Sequence, residues 1–165
     1  MSSADKNLSV FTTNDLPEIG NKKFALVVAE WNSEITGKLF QGAYDTLIKY
    51  GALPENIEKG TVPGSFELTL ASHWYAQRDD IDAVIALGVV IKGETKHDEY
   101  INNAVAQGIT NVSIQNNKPV IFGVLTPNSM EQAIARAGGA HGNKGDEAAM
   151  TAIKMVGLKD KILVK

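Results

Sequence analysis

The sequence predicts a three-layer α/β/α sandwich, a four-stranded parallel sheet with helices on both faces. Three observations carry this reading. Strand-like and helix-like segments alternate four times along the 165 residues. The strand segments are near-continuous apolar runs, as expected of strands covered on both sides. No internal repeat and no Pro/Gly/Ser linker divides the chain, so a single domain over 1–165 is expected, with 1–21 as an extended N-terminal segment. Such alternation calls for parallel pairing with right-handed crossovers.

The first strand is "KFALVVAE" (Lys23–Glu30), rich in β-branched residues. A helix follows in "SEITGKLFQGAYDTLIKYGA", where Ile35, Leu39, Ala43 and Leu47 share one face and Gly51 supplies a stop. "NIEKGTVPG" reads as a second, shorter strand ending at Pro63-Gly64, and "SFELTLASHWYAQR" as a helix capped by Ser65. "DAVIALGVVI" is the third strand. After it Ile101, Ala104, Val105, Gly108, Ile109 and Val112 trace a helical stripe. "KPVIFGVL" is the fourth strand, and "SMEQAIARAG" a short helix with Met130, Ala133, Ile134 and Ala137 inward. "DEAAMTAIKMVG" closes the chain as a helix. "LSVFTT", near the start, reads as an extra strand with no helix of its own.

Composition narrows the function. With 44% hydrophobic and 21% charged residues the chain has the make-up of a soluble globular protein, and its net charge of −3 argues against nucleic-acid or anionic-membrane partners. No run of roughly 18 apolar residues predicts a membrane span, and "MSSADKNLSV" carries no secretion pattern. Zero cysteines exclude disulfides, thiolate metal sites and a cysteine nucleophile. The cytoplasm is the expected location.

In open parallel sheets ligands bind beyond the carboxyl ends of the strands, so whatever follows each strand converges on one rim. Here that rim collects Trp31-Asn32, then Ser65-Phe66-Glu67, then Ile91 through His97, with Phe122 and "LTPN" from the fourth strand. Aromatic faces, several hydrogen-bonding groups and a histidine suit a flat polar heterocycle. Gly93 is expected to let the backbone approach a ligand. Thr95 and the amides around it precede a helix, a natural anion site. His97 is the rim's side chain best placed to pass protons near neutrality.

Look-alike motifs fail. No G-x-G occurs, "GGAHGNKG" lacks P-loop spacing, and H-x-E at 97–99 has no cysteine pair to complete a zinc deaminase. A third strand ending in Val90-Ile91 lacks the Asp of a receiver domain. His73 and His141 are too poorly accompanied to argue for a metal. Plainer readings stand beside the functional ones: His97 and Glu67 as ordinary first-turn helix residues, Trp31 as a core or interface aromatic, Phe122 as core, Arg136 as a cation at a helix C-terminus.

Five blocks in order, "WNSEIT", "VPGSFEL", "LGVVIKGETKHDEY", "PVIFGVLT" and "EQAIARAGGAHGNKGDEAA", resemble the lumazine synthase family from about Lys23 to Val156. The resemblance implies a flavodoxin-like fold and the condensation of 5-amino-6-(D-ribitylamino)uracil with 3,4-dihydroxy-2-butanone 4-phosphate, without metal or organic cofactor. It implies that Trp31 stacks on the pyrimidine, with Asn32 beside it. Ser65, Phe66 and Glu67 would line the ribityl chain, and Val89, Val90 and Ile91 would offer backbone groups to the pyrimidine edge. Glu94, through its backbone, and Thr95 would hold phosphate while His97 moves protons. Phe122, Arg136 and Lys144 are expected from a neighbouring subunit, with Arg136 clamping phosphate as a planar fork.

The family's assembly implies a homopentamer, a sixty-subunit icosahedral shell of twelve pentamers as its larger form, riboflavin synthase as cargo, and "LSVFTT" as a strand donated to a neighbour. Three positions depart from common family residues. They are Lys92 for Arg, Asp98 for an aromatic, and Ala140 where many members have a Lys near the phosphate. The last implies weaker, more salt-dependent butanone-phosphate binding. Two rival classes are a non-catalytic flavin-binding module and a shell protein with a disabled pocket.

Overall fold

A computed structural model describes residues 7–163. Its main elements are β1 (Phe24–Ala29), α1 (Ser33–Lys49), β2 (Ile57–Val62), α2 (Leu68–Ala76), β3 (Ala83–Val89), α3 (His97–Gln115), β4 (Val120–Leu125), α4 (Met130–Ala135), β5 (Ala137–Gly139), β6 (Gly142–Asn143) and α5 (Lys144–Leu163). The four long strands form one parallel sheet in the order β2-β1-β3-β4. This is the expected α/β, flavodoxin-like architecture.

Alternation along the strands sorts the core into two layers. Phe24, Leu26 and Val28 of β1 and Ile85, Leu87 and Val89 of β3 face α1 and α5. They meet Ile35, Leu39, Ala43 and Leu47 from α1, and Ala149, Ala152, Ile153 and Val156 from α5. Ala25, Val27, Val84 and Ala86 face the other way, onto Leu68 and Ala71 of α2 and Val105, Ile109 and Val112 of α3. Each fully buried Leu, Ile or Phe contributes about 1.5–3 kcal/mol through removal from water. The central strands β1 and β3 are therefore apolar at every position, whereas the edge strand β2 is only partly buried. Helix α1 ends as expected: the amides of Gly51 and Ala52 turn back to Ile48 O and Leu47 O at 3.0 Å each, the double bond of a Schellman stop.

Several local expectations change. Ser65 does not cap α2; it begins a 3₁₀ turn over Ser65–Glu67, because its hydroxyl is drawn to the carbonyl of Val89 instead. Ala104 and Ile134 are exposed rather than inward. Helix α5 starts two residues earlier and runs six further than its apolar pattern indicated, and the β5–β6 hairpin was not foreseen. "LSVFTT" forms no strand within the chain; the Leu8 amide instead bonds the His141 carbonyl at 2.8 Å.

Beneath the sheet, opposite the rim, Arg78 donates to both carboxylate oxygens of Glu58 (2.6 and 2.9 Å) and to Asp80 (2.8 Å). Lys23 reaches the same two carboxylates at 2.9 and 2.8 Å. Arg78 first, then Lys23, holds both carboxyls below their usual range. A depressed carboxyl stabilises the fold above its unfolded pKa, and that contribution is lost as pH falls through the folded value. The melting temperature of the native chain should therefore hold from neutrality to about pH 5 and fall below about pH 4. In Arg78→Ala the fall should be shallower, so the two melting curves converge on acidification. A gap that stays constant from pH 6 to pH 3 would contradict this.

Candidate active site

The chain passes from β1 to α1 on one face of the sheet and from β3 to α3 on the other, and β1 and β3 are neighbours. Their carboxyl ends therefore diverge and open a crevice, the topological switch point of the sheet. A cleft of about 480 Å³ lies there, lined by Trp31, Asn32, Gly64, Ser65, Val89, Val90, Ile91, Gly93, Thr95, His97, Asp98 and Ile101. This volume suits a small heterocyclic ligand.

Each wall has a local cause. Asn32 takes a left-handed conformation (φ 59°), which asparagine tolerates better than most residues. Its carbonyl accepts from the Ile35 and Thr36 amides at 2.8 and 3.1 Å, starting α1 in one step. Its side chain makes no capping bond and lines the cleft. Trp31 is held by its amide, which donates to Pro63 O at 3.1 Å, while its indole stands 73% exposed. Its ring therefore stands open along one wall of the cleft.

The floor is built by strand alternation. Val90 N–H donates to Leu125 O (2.8 Å) and Lys92 N–H to Pro127 O (2.9 Å), so positions 90 and 92 spend their backbone groups on β4's side. Positions 89 and 91 consequently turn theirs toward β1 and the cleft. Ser65 Oγ donates to Val89 O at 3.2 Å, which fixes that carbonyl. Val90 also borders the cleft, with its side chain packed against the α2–α3 layer.

At the far end, α3 begins at His97, and the His97 amide donates to Thr95 Oγ1 at 3.4 Å. Glu94 and Gly93 are exposed in the turn before it. Gly93 does not enter the left-handed region, and among the described residues beyond its chain neighbours no atom lies within 4 Å of where its Cβ would be, so the expected close approach is left to a ligand. The amides at the start of this 19-residue helix carry positive partial charge. The cleft thus offers an aromatic face at one end and an anion-favouring helix start with an imidazole at the other.

The model of the 6,7-dimethyl-8-ribityllumazine synthase family matches residues 21–160. The chain belongs to that family. Among similar curated proteins, the 6,7-dimethyl-8-ribityllumazine synthase of Cytophaga hutchinsonii is 56% identical over 94% of this chain and 98% of its own length. Those of Parabacteroides distasonis (50%, over 94% and 98%) and Phocaeicola vulgatus (48%, over 98% and 96%) are similar along nearly their whole length as well.

Not every residue singled out from the lumazine synthase resemblance lines the cleft. Phe66 and Glu67 face a separate groove of about 650 Å³ between α2 and α3, and Glu67 Oε2 accepts from the Gly64 amide at 3.0 Å. Phe122 lies on the edge strand β4, half-buried against the α2–α3 layer. Arg136 ends α4, and its carbonyl accepts from Lys144 N at 2.9 Å, while the Lys144 ammonium pairs with Glu147 at 2.9 Å. These last three are not among the residues that line the chain's own cleft. Asp98, treated in the sequence only as a departure, does line it, and the first-turn spacing beside His97 was the available signal. No helix of the described residues is long and apolar enough to cross a membrane, and among them no cluster of three His, Asp or Glu could hold a metal ion.

Proposed function

We propose that this chain condenses 5-amino-6-(D-ribitylamino)uracil with 3,4-dihydroxy-2-butanone 4-phosphate to 6,7-dimethyl-8-ribityllumazine, releasing phosphate and two waters, as the penultimate step of riboflavin biosynthesis. The observation that carries this is the coincidence of the family match over residues 21–160 with a switch-point cleft that gathers Trp31, Thr95 and His97 in its lining. Trp31 stacks on the pyrimidine, and the backbone groups of Val89 and Ile91 read its edge. Asn32 and Ser65 border the ring, while Phe66 and Glu67, next to Ser65 in the chain, receive the ribityl chain. The turn at Glu94 and Thr95 receives the phosphate.

The reaction needs proton movement more than bond strain. The 5-amino group attacks the ketone and loses water to give an imine. Phosphate departs by elimination, and the ribityl-bearing nitrogen then closes the second ring with loss of the other water. His97 shuttles protons in these steps, and the helix start stabilises the leaving phosphate. Both substrates are intrinsically reactive, so holding them in register supplies much of the acceleration.

The same reading makes the enzyme a cytoplasmic homopentamer. Phe122, Arg136 and Lys144 lie off the chain's own cleft, and in this reading they complete a neighbour's. Exposed Phe66, Leu70 and Trp74 at four-residue spacing give a neighbour an apolar stripe to cover. A shell of twelve pentamers enclosing riboflavin synthase is the larger assembly of this reading, and light scattering measures it. Mixing the two substrates with the purified chain should yield the fluorescent lumazine and one phosphate per turnover. Flavin binding without product would instead favour a non-catalytic binding module, and intact shells without turnover a structural protein.

A further inference from the structure

The hairpin that follows Arg136 has little core of its own. Gly138, Gly139 and Ala140 are exposed, and polar clips hold the turn together. Two are internal: His141 N–H donates to Ala135 O and Lys144 N–H to Arg136 O, both at 2.9 Å. On one side the hairpin is tied to α1, where Asn143 Nδ2 donates to Lys38 O at 2.9 Å. On the other side it is tied to the start of the described chain. Leu8 N–H donates to His141 O at 2.8 Å, Asn143 N–H donates to Ser9 Oγ at 3.1 Å, and Ser9 Oγ donates in turn to Asp146 Oδ2. Asn7 Oδ1 folds back onto the Ser9 amide at 2.9 Å, which fixes the segment's own shape. Gly142, in the left-handed region at φ 80°, lets the two backbones meet: a Cβ there would collide with Asn7 Oδ1 and lie 2.7 Å from Leu8 N.

We propose that Asn7–Ser9 is a positioning strap for the turn that carries Arg136, fastened by the Ser9 hydroxyl, and that it sets affinity for the phosphate-bearing substrate. This rests on the reading that Arg136 meets the phosphate. Ser9 touches neither substrate in this scheme; it acts through Asn143 and Asp146, which bracket Lys144 and its bond to the Arg136 carbonyl. Because Ser9 is exposed and the α1 tie remains without it, losing the hydroxyl should loosen the turn while the core stays intact.

The test uses the full chain with Ser9→Ala, Ser9→Thr and Arg136→Ala, reading KM for each substrate, the inhibition constant of inorganic phosphate, and melting temperature. In Ser9→Ala the butanone-phosphate KM and the phosphate inhibition constant should both rise about three- to tenfold, the net worth of one ordinary hydrogen bond. The pyrimidine KM and the melting temperature should stay unchanged, and Ser9→Thr should restore the phosphate constants. Unchanged phosphate constants in Ser9→Ala, or a parallel shift of both KM values with the melting temperature, would overturn the strap. Arg136→Ala separates the two levels of the argument. If it leaves phosphate inhibition unaltered, the assignment of Arg136 itself is wrong; if it weakens inhibition while Ser9→Ala does not, only the strap fails.

Discussion

Replacing His97 by alanine should lower kcat about a hundredfold, at the lower end of what a positioned proton carrier contributes, and leave the pyrimidine KM unchanged. The geometry explains the split. The imidazole is exposed at the first residue of α3, and the backbone around it is fixed by the bond from its own amide to Thr95 Oγ1, which the substitution keeps. The pyrimidine's expected contacts, the Trp31 face and the backbone at 89 and 91, lie at the other end of the cleft and are untouched. What is lost is proton movement during dehydration and phosphate departure; what remains is two reactive partners held together. Steady-state kinetics with each substrate varied in turn checks this. An unchanged kcat would remove His97 from the chemistry, and loss of pyrimidine binding would make it a binding residue instead.

How much of this was legible in the sequence depends on the range of the interaction. β1 and β3 were readable because strands covered on both faces leave no polar position to confuse the pattern. From their order the rim followed, and with it Trp31, Asn32, Thr95 and His97. Ser65 was misread because a serine before a helix and a serine bonded across the sheet to Val89 look alike locally; residues 65 and 89 meet only in the fold. The β5–β6 hairpin was invisible for a different reason. With strands of three and two residues, of which only Ala137 and Gly142 are buried, it has no hydrophobic period to detect. The far end of α5 was missed because "LKDKIL" is mostly exposed and its helicity comes from continuing a packed helix. Arg136 could be singled out only by resemblance, since spacing alone gave a helix-end cation, and Phe122, placed at the rim by its strand, otherwise read as a core aromatic.

Gly145→Ala should cost the fold about 3 kcal/mol or more, the upper range for forcing atoms into a packed contact, and lower the melting temperature by on the order of 10 °C at fixed protein concentration. Gly145 is the second residue of α5, packed directly against the backbone of α1. A Cβ there would overlap the Leu39 carbonyl oxygen and lie 3.0 Å from the Ala43 nitrogen. Both are helix backbone, so no flexible side chain can yield, and α1 and α5 must separate. That separation opens the layer formed by Leu39, Ala43, Ala149 and Ile153. It also reaches the site, because the Gly145 amide donates to Asn143 Oδ1 at 2.8 Å, and Asn143 is the residue that ties the hairpin to both α1 and Ser9. Residual folded Gly145→Ala should therefore show a raised butanone-phosphate KM as well as a lower melting temperature. Thermal melts and kinetics on the soluble fraction check the two together. A variant as stable as the native chain would mean that α1 and α5 do not approach as closely as described, and the packing that seats the Arg136 turn would have to be drawn again.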